Sequence, residues 1–329
     1  MISNSSIQTK KRMDFSVFTI IALTILLGAG LALTSPTFLS EVNIFSILYG
    51  VSLNFFSAIG FTYLMIMGEI DLSIGSVCAF SGMLVGMLMK QGLPLVPSLA
   101  ISLVICALFG ILNGFLVVRF KVSSMMITLG SMTAVRGLAN LLCSNLYGFP
   151  YPDAYQILAK FRLGSVFLTI YIMVIVVIVL EIMLLRSAAF RKMYFVGENI
   201  ETARIYGINS SRLKISVFMV SALLSAVSGI LIGARLSFAD TTIGNGLEFT
   251  VLTAAVLGGA SLKGGKGSIL RTCIALIFLA TITNGMIIHN IDPLIQQLIV
   301  GIILILAVFI DTRMGLAGIR QPHIKAKEG

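Results

Sequence analysis

The chain reads as an all-α, polytopic integral membrane helix bundle of about 10 transmembrane helices with both termini cytoplasmic, and three observations predict it. Apolar residues make up 57% of the sequence and charged residues 11%. The charges gather in the gaps between ten apolar runs, most of which approach the roughly 20 residues a helix needs to cross hydrocarbon. Lys and Arg crowd into alternate gaps, which the positive-inside rule places in the cytoplasm.

The first run, residues 15–33, follows Lys10, Lys11 and Arg12. With small residues at 28–30 it mimics a cleavable signal. A membrane anchor is the better reading, because the spans that follow need an inside N-terminus. Runs 44–67 and 72–89 are separated by a short polar interruption, and run 95–118 ends at Arg119 and Lys121. Run 125–143 carries Arg136. The outer loop 144–165 holds Pro150, Pro152, Tyr147, Tyr151 and Tyr155, whose amphipathic rings suit the headgroup level.

Run 166–185 leads into a long basic segment, 186–214, and run 215–234 follows. Run 249–260 is too short to span alone, so it either begins near Gly246 or is a broken helix. Runs 269–288 and 294–310 complete the set. The division is a cytoplasmic segment 1–14, a transmembrane domain 15–310 containing the inner loop 186–214, and a cytoplasmic tail 311–329.

Within the inner loop, Asn199 can accept from the free amides of a first helical turn, Glu198 and Glu201 favour its positive end, and Gly207 suits a left-handed stop. Ile200, Ala203 and Tyr206 give that helix an apolar stripe. A helix of roughly 13 Å is marginal alone and needs a partner surface.

Polar groups inside apolar runs are costly and mark function or pairing. The stretch 68–76 interrupts the second and third runs. Glu69, Asp71 and Ser73 there either line a hydrated path or, for Asp71 and Ser73, cap the next helix; capping is the primary reading. Arg136 shares its span with Thr128, Ser131, Thr133 and Asn140. That polar face should point into the bundle or a cavity, with Glu69 or Asp71 as possible partners for the guanidinium. Asn54 and Asn284 serve as pathway residues or as interhelical glue.

The stretch 258–268 fails the phosphate-loop pattern, since Ala260 and Gly267 stand where Gly and Ser/Thr are required. A tight glycine turn fits better. It weakly repeats 68–76, as duplicated transporter halves do. Cys78, Cys106, Cys143 and Cys273 lack paired spacing and read as small core residues, while His289 and His323 lack ligand-like company, so no metal site is expected. The net charge of +10 reads as topology and attraction to anionic lipid heads of the bilayer. No basic soluble domain is present, and no nucleic-acid partner is implied.

Four stretches together resemble the permease subunits of bacterial ATP-binding-cassette importers for ribose, xylose, galactose and related sugars, a group that includes autoinducer-2 permeases. They are 68–76 (GEIDLSIGS, like the family's GGIDLSVGS), 128–137 (TLGSMTAVRG), 194–208 (YFVGENIETARIYGI) and 246–268 (GLEFTVLTAAVLGGASLKGGKGS). The resemblance covers about 38–311. It implies that 194–208 contacts a separate cytoplasmic ABC ATPase with tandem nucleotide-binding domains, through Gly197, Asn199, Ile200, Ala203, Arg204 and Gly207. It also implies two permease copies, or one beside a paralogue, around one pathway, and a periplasmic solute-binding protein outside. ATP is used by the separate subunit, and this chain binds no cofactor.

Three positions depart from that family: Glu69 stands where Gly is usual, Ser123 and Ser124 replace a proline, and Phe190 replaces a Gly before Arg191. The expected function is ATP-driven import of a sugar or sugar-like solute across the bacterial inner membrane by alternating access. Pathway candidates are Asn54, Glu69, Asp71, Ser73, Arg136 and Asn284. An ion-coupled secondary transporter is the alternative and would need Glu69 or Asp71 as its ion site. An integral membrane enzyme would need a clustered nucleophile, base or metal site, and the sequence offers none.

Overall fold

A computed structural model describes residues 3–319 except Tyr147, with side chains from 18 to 312. The charges of Lys10, Lys11 and Arg12, Tyr147, His323 and the basic tail lie outside the described side chains. In chain order the elements are α1 (Ser3–Thr34), α2 (Glu41–Ile66), α3 (Ile74–Lys90), α4 (Leu95–Phe120), α5 (Ser124–Asn145), α6 (Asp153–Lys160), β1 (Arg162–Leu163), β2 (Val166–Phe167), α7 (Leu168–Arg186), α8 (Ala188–Glu198), α9 (Ile200–Ile205), α10 (Ser210–Leu236), α11 (Leu247–Leu257), α12 (Ile269–Ile288) and α13 (Pro293–Ile319). Seven helices, α2, α4, α5, α7, α10, α12 and α13, are long and apolar enough to cross a membrane. The apolar part of α1, with α3 and α11, is shorter.

Each of the ten apolar runs carries one helix, with bounds displaced by a few residues at most ends. The eighth begins at Leu247, behind Gly246, and spans 11 residues, about 16 Å or half a hydrocarbon core. The inner loop holds two helices, because α8 precedes the expected short one. A two-residue β-hairpin, β1 with β2, closes the loop after α6.

Helix α10 occupies the centre, packed on α2, α3 and α4. The reason is side-chain size. Without a hydrophobic drive between helices in lipid, small residues and hydroxyls permit close approach and hold it. A methyl added to Gly82 would strike the Gly229 carbonyl, and one on Gly229 the Cys78 carbonyl. Around that crossing, Ser81 Oγ donates to the Ala226 carbonyl at 2.9 Å and Ser102 Oγ to the Ser81 carbonyl at 2.9 Å. Elsewhere Ser228 Oγ accepts from the Ser57 amide, and Thr62 meets Thr272 at 3.0 Å. Helix α3 is buried from Ile74 to Gly86.

The peripheral helices expose apolar faces: Leu108, Leu112 and Phe115 on α4, Ile175 and Val179 on α7, and Leu298 and Ile305 on α13. Apolar surface this extensive has no place in water and matches lipid. The connections gather at two ends. At one, which carries α8 and α9, Gly68 lies against Lys263 and Gly264. At the other, the Tyr151 amide donates to the Ser237 carbonyl at 2.8 Å, Thr34 meets His289 at 3.1 Å, and Asn43 meets Asn284.

Of the outer-loop tyrosines, Tyr151 and Tyr155 are not headgroup anchors. Both are fully buried, at 2% and 0% exposure. Tyr155 donates its hydroxyl to the Gly82 carbonyl at 3.1 Å, and Tyr151 fills the space that Gly86 leaves open. They plug the bundle between α3 and α10. Burial holds both hydroxyls well above the ordinary tyrosine range.

Candidate functional site

Two features stand out: a pair of helix starts that meet inside the bundle, and a short exposed helix beneath them. Helix α2 ends at Ile66, and the chain turns at Gly68 and runs extended into the interior before α3 begins. Extended backbone at such depth needs every polar group satisfied by protein, and neighbouring helices supply the partners. The Glu69 amide donates to the Leu64 carbonyl at 2.9 Å, the Ile70 amide to Ser124 Oγ at 3.1 Å and the Leu72 amide to Thr128 Oγ1 at 3.1 Å. Asp71 Oδ1 accepts from the Ser73 amide at 2.8 Å and from its hydroxyl at 2.6 Å, while Asn113 Nδ2 donates to Ser73 Oγ at 3.1 Å.

Helix α3 therefore starts deep. Its first carbonyl, at Ile74, accepts from Ser225 Oγ at 2.6 Å, about 22 Å along α10 from its start. The capping expectation for Ser73 is corrected: its hydroxyl makes no cap bond to α3, because Asp71 claims it. Asp71 does hold the Ser73 amide.

Helix α11 starts at the same level. A methyl on Gly75 would run into the Glu248 carboxylate and the Gly244 carbonyl, so the starts of α3 and α11 touch. Arg136 Nη1 donates to the Ile243 carbonyl at 2.6 Å. Glu248 is buried, with Oε2 lacking a hydrogen-bond partner. A carboxylate between two helix N-termini and near a guanidinium is placed where positive potential converges. Arg136 therefore pairs with neither Glu69 nor Asp71. Glu69 forms an ion pair with Lys214, and Asp71 is engaged by Ser73.

The polar face of α5 also divides. Thr128 is buried and Arg136 half-buried toward the bundle, whereas Gly130, Thr133, Gly137 and Asn140 face outward. Asn54 donates to the Gly50 carbonyl of its own helix at 3.2 Å. Asn284 and Asn43 exchange two amide hydrogen bonds at 2.8 and 3.0 Å, which ties α12 to α2.

Beneath, α9 has the expected cap and stop but runs for six residues, about 9 Å against the roughly 13 Å expected, with Tyr206 just past its end. Asn199 Oδ1 accepts from the Thr202 amide at 2.9 Å, and Gly207 at φ +73° makes the left-handed stop. Ala203 is buried, while Ile200, Ile205 and Tyr206 are exposed, the last two at 84% and 76%. Gly197 belongs to a junction instead: a methyl there would strike the Ile66 carbonyl and the Gly265 amide. The Gly265 amide donates to that same carbonyl at 2.8 Å, and Tyr194 Oη to the Gly267 carbonyl at 2.8 Å. Burial, then the charge of Glu181, keeps the Tyr194 hydroxyl well above its ordinary value. So the two glycine turns, 67–69 and 258–268, meet, with α8 against them. A cleft of about 560 Å³ separates α9 from the α4–α5 turn, lined in part by Glu69, Lys121, Ser124, Glu201, Arg204 and Lys214.

Sequence reasoning missed Lys214, Glu248 and Glu181. Glu181 Oε2 accepts from the Ile269 amide at 2.8 Å and the Leu270 amide at 3.2 Å, and Oε1 from Ser268 Oγ, capping α12 from α7. A lone carboxylate near the end of an apolar run was the available signal. Among the described residues no group of three His, Cys, Asp or Glu is placed to hold a metal.

Residues 43–308 match the family described as branched-chain amino acid transport system / permease component. The chain is 30% identical to the ribose import permease protein of Bacillus subtilis (strain 168) over 284 residues, 86% of this chain and 88% of that one. It is 32% identical to the ribose import permease protein of Haemophilus influenzae over 302 residues, 90% and 92% of the two chains. It is 31% identical to the L-arabinose ABC transporter permease protein of Azospirillum brasilense over 299 residues, 89% and 86%. No solved structure matches.

Proposed function

Since the chain belongs to the branched-chain amino acid transport system / permease component family, and is the multi-pass permease subunit of a bacterial ABC importer and not an enzyme, we propose that it carries a pentose-class sugar inward. The relatives named above are ribose import permeases and an L-arabinose ABC transporter permease. A neutral polyol needs hydroxyl and amide partners and little fixed charge, and the outward face of α5 offers Thr133 and Asn140 among small residues. In this reading two copies, or this chain and a paralogue, turn those faces toward a shared path.

In this reading the domain 15–310 crosses ten times with both termini cytoplasmic, since the basic segments 186–214 and 263–271 meet at one end of the bundle. The observation that carries the reading is α9. It is a capped, stopped helix that presents Ile205 and Tyr206 to water beside the basic end, which suits insertion into a groove of a separate tandem-domain ATPase. ATP binding there would shift α9, α10 would follow, and α10 is packed on α2, α3 and α4. A periplasmic binding protein would deliver the sugar at the opposite end.

The two carboxylates expected to serve an ion-coupled carrier are engaged, Glu69 by Lys214 and Asp71 by Ser73, which counts against that alternative. The reading is tested by labelled pentose uptake in cells deleted for this gene. The wild-type gene should restore uptake and I205D/Y206D should not. Uptake that persists without the cognate ATPase would overturn it.

A further inference from the structure

Among the described residues, Glu69 and Lys214 make the one pair of opposite charges within salt-bridge distance, and the pair joins two kinds of element. Glu69 opens the extended stretch that places α3. Lys214 stands one turn inside α10, which begins just after α9. Both side chains are largely buried, Glu69 at 9% and Lys214 at 19% exposure, and both line the cleft beside α9. Ala203 is the buried residue of α9, so that helix is lightly seated and has the cleft to move into.

The remaining polar contacts of 69–73 run to α2, α4 and α5, or close within the stretch and the first turn of α3. The ion pair is thus its polar tie to the base of α10. Separating buried partners leaves each charge uncompensated in a poor solvent. The two ends of such a link move together more readily than apart.

We propose that Glu69 and Lys214 are positioning residues forming a strut, which carries movement of α9 and the base of α10 to the broken turn and so to the start of α3. The proposal rests on the reading of α9 as the ATPase contact. It also gives a use to a charge at 69, where the resemblance leads one to expect glycine.

The test uses the complete importer, permease with its ATPase and binding protein, in proteoliposomes, and reads sugar taken up per ATP hydrolysed. E69Q, which keeps the side-chain size, and K214M should each lower that ratio about tenfold, within the range of ordinary coupling between sites. Both should still yield monodisperse permease–ATPase complex. The swapped pair E69K/K214E should restore the ratio. If one single variant fails to assemble, the other and E69G give the same reading. Single variants with the wild-type ratio, a fall in uptake and hydrolysis together, or a swap no better than its single parents would each overturn the strut. A wild-type complex without ATP-driven uptake would instead overturn the proposed function.

Discussion

At the scale of single residues, the interior is governed by whether backbones approach closely and whether polar groups find partners. Gly82 and Gly229 set the closest approach, so Gly229→Val should cost about 1–3 kcal/mol through overpacking. This would be seen as a lower midpoint for loss of monodisperse protein on heating in detergent, and an unchanged midpoint would refute the close contact. Arg136→Ala leaves the Ile243 carbonyl and the Glu248 carboxylate without their cation. A charged hydrogen bond is worth about 1.5–3 kcal/mol, so uptake should fall at least tenfold and Arg136→Lys should recover part of it. Full activity in R136A would show the charge to be incidental. For Tyr194, burial raises the folded-state value, so folded and unfolded chains are both protonated below the ordinary tyrosine value of about 10. Its contribution is flat there. Above that value the unfolded chain loses its proton first, and stability falls as pH rises. Y194F should cost about 1 kcal/mol at neutral pH and blunt that alkaline fall, both measured by thermal unfolding.

At the scale of elements, α9 separates a seated side from the exposed side that we propose meets the ATPase. Ala203 is buried, so A203D would unseat the helix, whereas Ile205 and Tyr206 project from it. I205D/Y206D should leave expression and monodispersity intact and weaken ATPase binding by about 2 kcal/mol or more, as loss of apolar anchors does. Co-purification reads this directly. The sequence made all ten apolar helices legible, since length and hydropathy alone decide them. It also made the Asn199 cap and the Gly207 stop legible, because capping chemistry is local. It did not make legible how deep α3 and α11 begin, since a helix that starts inside the bundle and one that starts at its edge have similar composition. Nor did it reveal the partners of Arg136 and Glu69, or the burial of Tyr151 and Tyr155. Those depend on which helices become neighbours, and Lys214 and Glu248 lie 145 and more than 100 residues away from the groups they meet.

At the scale of the whole molecule, one chain shows a lipid-facing apolar rim, a centre knit by serines and glycines, and two helices, α3 and α11, whose starts meet inside the bundle above the exposed α9. Glu69 and Asp71 are engaged, and Ile205 and Tyr206 of the α9 segment face away from the bundle. Membership of an ABC importer system implies an ATPase partner, and the proposed function ties transport to it. The most direct measurement is labelled ribose or arabinose uptake into proteoliposomes holding this permease, with binding protein supplied. Adding the ATPase and ATP should give uptake that accumulates sugar against its gradient, and omitting either should abolish it under any imposed proton or sodium gradient. Concentrative uptake by the permease alone under such a gradient would contradict the account.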